Sequence, residues 1–160
     1  MIPITVLVAS FLLFVIAGRL GVRRLASWIT SLRWALAAMF LVTASAHFGP
    51  LRADLIQMVP AAFPHPDLIV TLSGIAEIAG AVGLVLPRFA PWAAGGLALL
   101  LVAMFPANVH AAREGLTLGG SPATPLVPRI LEQLVFLAAV GLAGFGDRLH
   151  LPRRWWPGSR

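Results

Sequence analysis

The chain has no cysteine and no lysine among its 160 residues, and only six acidic residues. The first absence excludes disulfides, thiolate metal sites and thiol redox chemistry within the chain. The second makes the formal net charge of +6 the work of arginine alone. Charged residues of either sign make up 11% of the chain, against 59% hydrophobic residues and a mean hydropathy of +0.89. A soluble domain of this length needs more polar surface than that. The arginine excess therefore reads as membrane topology and contact with anionic lipid, and not as nucleic-acid binding.

What the chain does have is long apolar runs. Five approach the roughly 20 residues needed to cross a hydrocarbon core: about 3–18, 34–48, 68–86, 92–108 and 126–145. They are continuous and do not alternate polar with apolar, so helices are expected and not a barrel. The first run is followed by its charges (Arg19, Arg23, Arg24) and shows no small-residue cleavage site, unlike a secretory leader. The fold expected is an all-α, single-domain membrane protein: a four-helix transmembrane bundle with an extra N-terminal membrane helix.

Arginine placement gives an orientation. Arg19, Arg23, Arg24 and Arg33 fall in the first loop, Arg88 in the third, and Arg148, Arg153, Arg154 and Arg160 in the tail; Arg52, Arg113 and Arg129 fall on the other side. The positive-inside rule then places the N-terminus outside and the C-terminus in the cytoplasm. Trp28, Trp34, Trp92, Trp155 and Trp156 all lie at the expected cytoplasmic interface, and the basic tail at 147–160 reads as an interfacial anchor. In the second loop, Leu51, Leu55, Met58 and Val59 repeat at helical spacing opposite Arg52, Asp54 and Gln57. That pattern predicts a short amphipathic helix over about 51–59 on the outer surface.

The polar residues of the spans gather in the outer half. His47 ends the second span, Asn108 and His110 end the fourth, and Arg129, Glu132 and Gln133 open the fifth. Glu77 lies deepest, about 14 Å beyond Leu68 at 1.5 Å per residue. An ionised carboxylate facing lipid there costs at least about 2.5–3.5 kcal/mol, so Glu77 must face protein, water or a cation. Arg129, His47 and His110 are the candidate partners. Ser73, Glu77 and Gly80 share one helical face, and Gly74 and Gly80 thin the helix so that neighbours can approach. Pro106 removes a backbone donor and should kink or stop the fourth helix in "FPANVH". Glu77 could equally be interhelical polar glue, and Arg129 with Glu132 and Gln133 an i, i+3 and i, i+4 network at a helix start. No metal-ligand spacing stands out.

The segments "RWALAAMFLVTASAHFGPLRADLIQMVPAAFP", "LSGIAEIAGAVGLVLP" and "MFPANVHAA" resemble the DoxX-like family of small bacterial integral membrane proteins. The resemblance runs from about Arg33 to the fifth span, and His47, Glu77, Pro106 and Asn108 match its motif positions. It implies a bundle of about four membrane helices. It also implies, from some relatives, a small subunit beside other chains in quinone-linked oxidation or in a membrane redox complex. Three functions follow as expectations. One is a subunit binding a quinone or lipid in the outer half, with its head near His47, Glu77 and Asn108. Another is a structural or assembly subunit, docking a partner membrane protein or a second copy through its small-residue faces. The third and least favoured is haem binding through His47 and His110. No catalytic motif is present, so any enzymatic role would be that of an accessory subunit.

Overall fold

The computed structural model describes residues 2–149. Six α-helices account for most of it: α1 (Ile2–Arg19), α2 (Trp28–Phe48), α3 (Arg52–Met58), α4 (Pro66–Val85), α5 (Ala90–Arg113) and α6 (Leu126–Phe145). Five of these, all but α3, are long and apolar enough to cross a membrane. Short 3-10 turns cover Arg23–Leu25 and Gly146–Leu149. Between α5 and α6 lies a small antiparallel hairpin, β1 (Thr117–Leu118) and β2 (Ser121–Pro122). The prolines at 60, 64 and 66 keep the α3–α4 linker out of helix, and Pro66 then takes the first turn of α4, where its missing N–H costs nothing.

The packing closes on itself. α2 touches α4, α4 touches α5, α5 touches α6, and α6 returns to α2; α1 lies against α2. The core sits at the centre of this ring and is built from Leu36, Met39, Phe40, Leu84, Leu97 and Val140. α2 is the most buried span and α1 the least. Glycine makes two of these contacts close. A Cβ on Gly74 would stand 2.7 Å from the Cβ of His47, and one on Gly80 would overlap the buried side chain of Leu97. In lipid, where apolar side chains have no water to escape, such close approach supplies much of the attraction between helices.

Three elements depart from the sequence-based expectation. α2 begins at Trp28, six residues ahead of the expected start at Trp34, so Arg33 is not a loop residue. It is buried inside the helix; Nε donates to the carbonyl of Ala143 (2.7 Å) and Nη2 to Asp147 (2.7 Å). An arginine beside an apolar run reads as a boundary, but here its partner lies 114 positions away at the end of α6. Arg33→Leu is expected to lower stability by about 1–2 kcal/mol, because two charge-assisted bonds between α2 and α6 are lost while Asp147 remains half exposed. Reversible unfolding in mixed micelles measures this, and an unchanged midpoint would contradict it.

The second departure is α5, which neither stops at Pro106 nor shortly after, but continues to Arg113. Proline leaves the carbonyl of Val102 without its helical donor. Gln133 on α6 donates to the adjacent carbonyl of Leu101 (2.7 Å), so the neighbouring helix bonds to the backbone at this weak point. The third is the polar side of α3. The helix lies where expected, yet Arg52 turns inward and donates to the carbonyls of His47 (2.9 Å) and Asp67 (3.0 Å) and to the hydroxyl of Thr71 (2.9 Å). Of the expected tail at 147–160, residues 150–160 lie outside the described residues.

Candidate functional site

Two pairs of polar residues meet where Gly74 brings α2 and α4 together. Thr43 and His47 are four residues apart on α2; Ser73 and Glu77 are four residues apart on α4. Residues at that spacing share a helical face, so the two pairs oppose each other as a short ladder. His47, Ser73 and Glu77 are all buried. His47 Nδ1 lies 2.8 Å from the carbonyl of Val70 and 3.2 Å from the hydroxyl of Ser73. Glu77 Oε2 lies 2.8 Å from Thr43 Oγ1, and Glu77 Oε1 lies 3.8 Å from His47 Nε2.

Proton positions follow from these partners. A carbonyl can only accept, so Nδ1 of His47 carries a hydrogen and donates it to Val70. In the neutral imidazole that leaves the lone pair on Nε2, 3.8 Å from Oε1 of Glu77. At that distance the two groups attract as an ion pair when both are charged but do not share a hydrogen bond. Thr43 adapts to either state, since its Oγ1 is also 3.0 Å from the carbonyl of Phe40. Beside a carboxylate the hydroxyl donates to Glu77. Beside a carboxylic acid it can accept from Glu77 and donate to Phe40 instead.

The second cluster joins α5 and α6. Arg129 donates through Nη2 to Oδ1 of Asn108 (2.5 Å), and Nη1 stands 3.4 Å from Oε2 of Glu132. Glu132 is buried and its Oε1 has no hydrogen-bond partner among the described residues. Asn108 sits inside its helix because α5 runs on to Arg113, whereas Arg129 stands in the first turn of α6 and Glu132 one turn further in.

Both clusters line one cavity of about 1060 Å³ between α2, α4, α5 and α6. Thr43, His47, Ser73 and Glu77 form one wall, and Asn108, Arg129, Glu132 and Gln133 another. Between them the surface is apolar, contributed by Phe40, Leu101, Met104 and Phe136 among others. α3, its linker and the hairpin close one end; Leu51, Met58 and Leu118 line it there. The hairpin is tied to α3 where the backbone N–H of Gly119 donates to Asp54 (2.7 Å). Because Arg52 fastens α3 to α2 and α4, Arg52→Ala is expected to speed amide hydrogen exchange across 52–63 without changing α4 or α5; exchange unchanged in that segment would show that α3 is held by something else.

Of the residues singled out from sequence, His47, Glu77, Pro106, Asn108, Arg129 and Glu132 border this cavity, whereas Gly74 and Gly80 serve the helix contacts. His110 is not among the lining residues. Of the three partners considered for Glu77, His47 is the one in place; Arg129 pairs with Asn108 and Glu132 instead. A haem held between His47 and His110 fits this arrangement poorly, since both nitrogens of His47 already face partners on α4 and His110 is not among the residues lining the cavity that His47 borders. Thr43 and Arg52 are the residues that the sequence reading passes over. The signal for Thr43 was present, as its spacing from His47 repeats that of Ser73 from Glu77.

No curated protein and no solved structure matches the chain. Residues 36–142, from the middle of α2 almost to the end of α6 and so including both polar clusters, match the family described as "Domain of unknown function (DUF8561)", and the chain belongs to that family.

Proposed function

We propose that this is a DoxX-like multi-pass protein of the bacterial cytoplasmic membrane that holds an amphiphilic molecule, a quinone or a lipid, between its helices. The observation that carries the reading is a cavity shared by two polar clusters on otherwise apolar walls. Amphiphile sites commonly combine an apolar body with a few convergent polar groups. In this reading α2, α4, α5 and α6 form the functional four-helix unit, and α1 is an addition outside the family match. The N-terminus lies outside and the C-terminus inside, following the arginines. Glu77, with His47, exchanges a proton with the head group when a neighbouring redox protein changes its oxidation state.

The test is native mass spectrometry of the protein released from membrane nanodiscs, beside Glu77→Gln. A small-molecule adduct on the wild type that weakens about tenfold or more in the variant is the expected result. A wild-type chain that carries no adduct would overturn the reading. A second reading, a structural subunit that docks a larger membrane complex or its own copy, is favoured by one feature. On α5, Gly95 and Gly96 have open space above them, between the exposed side chains of Trp92 and Leu99. Under that reading the wild type carries a protein partner and no ligand.

A further inference from the structure

The chemistry of the head group can be narrowed from the α5–α6 wall, and this step rests on the amphiphile reading above. Glu132 is 6% exposed, lines the cavity, and has one oxygen, Oε1, with no partner among the described residues. A buried carboxylate oxygen without a donor is costly, so the wall is incomplete as it stands. Among the described residues, no group completes it as placed. Arg129 has its two terminal nitrogens on Glu132 Oε2 and Asn108. Gln133 has its amide on the backbone of α5. The missing element is a donor.

We infer that Glu132 receives a hydroxyl from the head group of a neutral ligand. The charges around it weigh against the alternatives. Glu77 and Glu132 both border the cavity, and the one arginine among its lining residues, Arg129, is already shared between Glu132 and Asn108, so a phosphate or a fatty-acid carboxylate would meet two acidic side chains against a single cation. An ammonium head would meet Arg129 beside its own acceptor. A ketone, ether or oxidised quinone offers only acceptors and would leave Oε1 unpaired. The terminal torsion of a glutamate is soft, so a small rotation turns an oxygen of Glu132 to the incoming hydroxyl. The ligand class is then a hydroxylated amphiphile; a hydroquinone and a hydroxyl-bearing lipid share that chemistry.

The test uses the full-length protein in nanodiscs with matched probes: a long-chain alkyl hydroquinone and a long-chain alkanol, each beside its O-methyl ether. A charge-assisted bond from a buried hydroxyl should make each hydroxyl probe bind about tenfold or more tightly than its ether. Which of the two binds more tightly distinguishes an aromatic from a lipid source. Glu132→Met, close to glutamate in size but without the acceptor, should bring the ratio of hydroxyl to ether near one. Equal affinity of hydroxyl and ether for the wild type would overturn the inference while leaving the amphiphile site standing. A preference that persists in Glu132→Met would overturn the assignment to this residue. Failure of all four probes to bind would overturn the amphiphile reading and this inference with it.

Discussion

Gly74→Ala is expected to destabilise the protein by about 1–3 kcal/mol, although it adds a single methyl group and improves helix propensity. That methyl would stand 2.7 Å from the Cβ and 3.0 Å from the Cγ of His47, and 2.9 Å from a ring carbon of Phe48. The Cβ of His47 is fixed to the backbone of α2, so it cannot swing aside as the tip of a long side chain could. The two helices must separate, or α4 must rotate and carry Ser73 and Glu77 away from their partners. Gly95→Ala is the control. Beyond the neighbouring backbone of its own helix, no heavy atom of the described residues lies within 4 Å of the added carbon there, and stability within about 0.5 kcal/mol of the wild type is expected. Reversible unfolding of both variants, followed by tryptophan fluorescence, measures the difference. Equal stabilities for the two would mean that α2 and α4 are not packed as closely as described.

Substitution at Glu77 is expected to separate two effects of similar size. Glu77→Ala should cost about 2–4 kcal/mol, since it leaves a void and takes their polar neighbour from Thr43 and His47 in a buried site. Glu77→Gln should cost less than about 1 kcal/mol. The amide is isosteric with the carboxyl group. Its oxygen can accept from Thr43, and its nitrogen, 3.8 Å from Nε2 of His47 in the carboxylate's place, can reach that lone pair by a small rotation of the soft terminal torsion. What the amide cannot do is release or take up a proton. Loss of ligand in a stable Glu77→Gln protein would therefore report on the carboxyl chemistry and not on the fold. A glutamine variant as unstable as the alanine variant would show that the Nε2 lone pair is not placed as argued.

The spans were legible in the sequence because the apolar runs are long, and because their ends are marked by arginine, proline and glycine. That His47, Glu77, Asn108, Arg129 and Glu132 would lie near one another was expected from their positions along the spans, but the same positions also suggested His110, which is not among the cavity-lining residues. What was not legible depended on distant pairing. Arg33 looks like loop charge until Asp147 is brought to it. Pro106 looks like a helix stop until Gln133 bonds to the carbonyl beside the gap. Arg52 looks like the wet face of a surface helix until the carbonyls of His47 and Asp67 converge on it. In each case a local rule about one residue yields to a partner supplied by another helix. The choice of partner for Glu77 was open for the same reason: spacing fixes which face a residue occupies, and only packing decides what stands opposite.

The single hydrogen on the Thr43 hydroxyl links two events. It has two acceptors within reach, Glu77 at 2.8 Å and the Phe40 carbonyl at 3.0 Å, and it can serve one at a time. When a proton reaches Glu77, the hydroxyl is released towards the backbone; when the proton leaves, it swings back. In vibrational terms, an isotope-edited amide band at Phe40 becomes an optical readout of proton occupancy one helix away. That band would shift with the carboxyl stretch of Glu77 and stay silent in Thr43→Val.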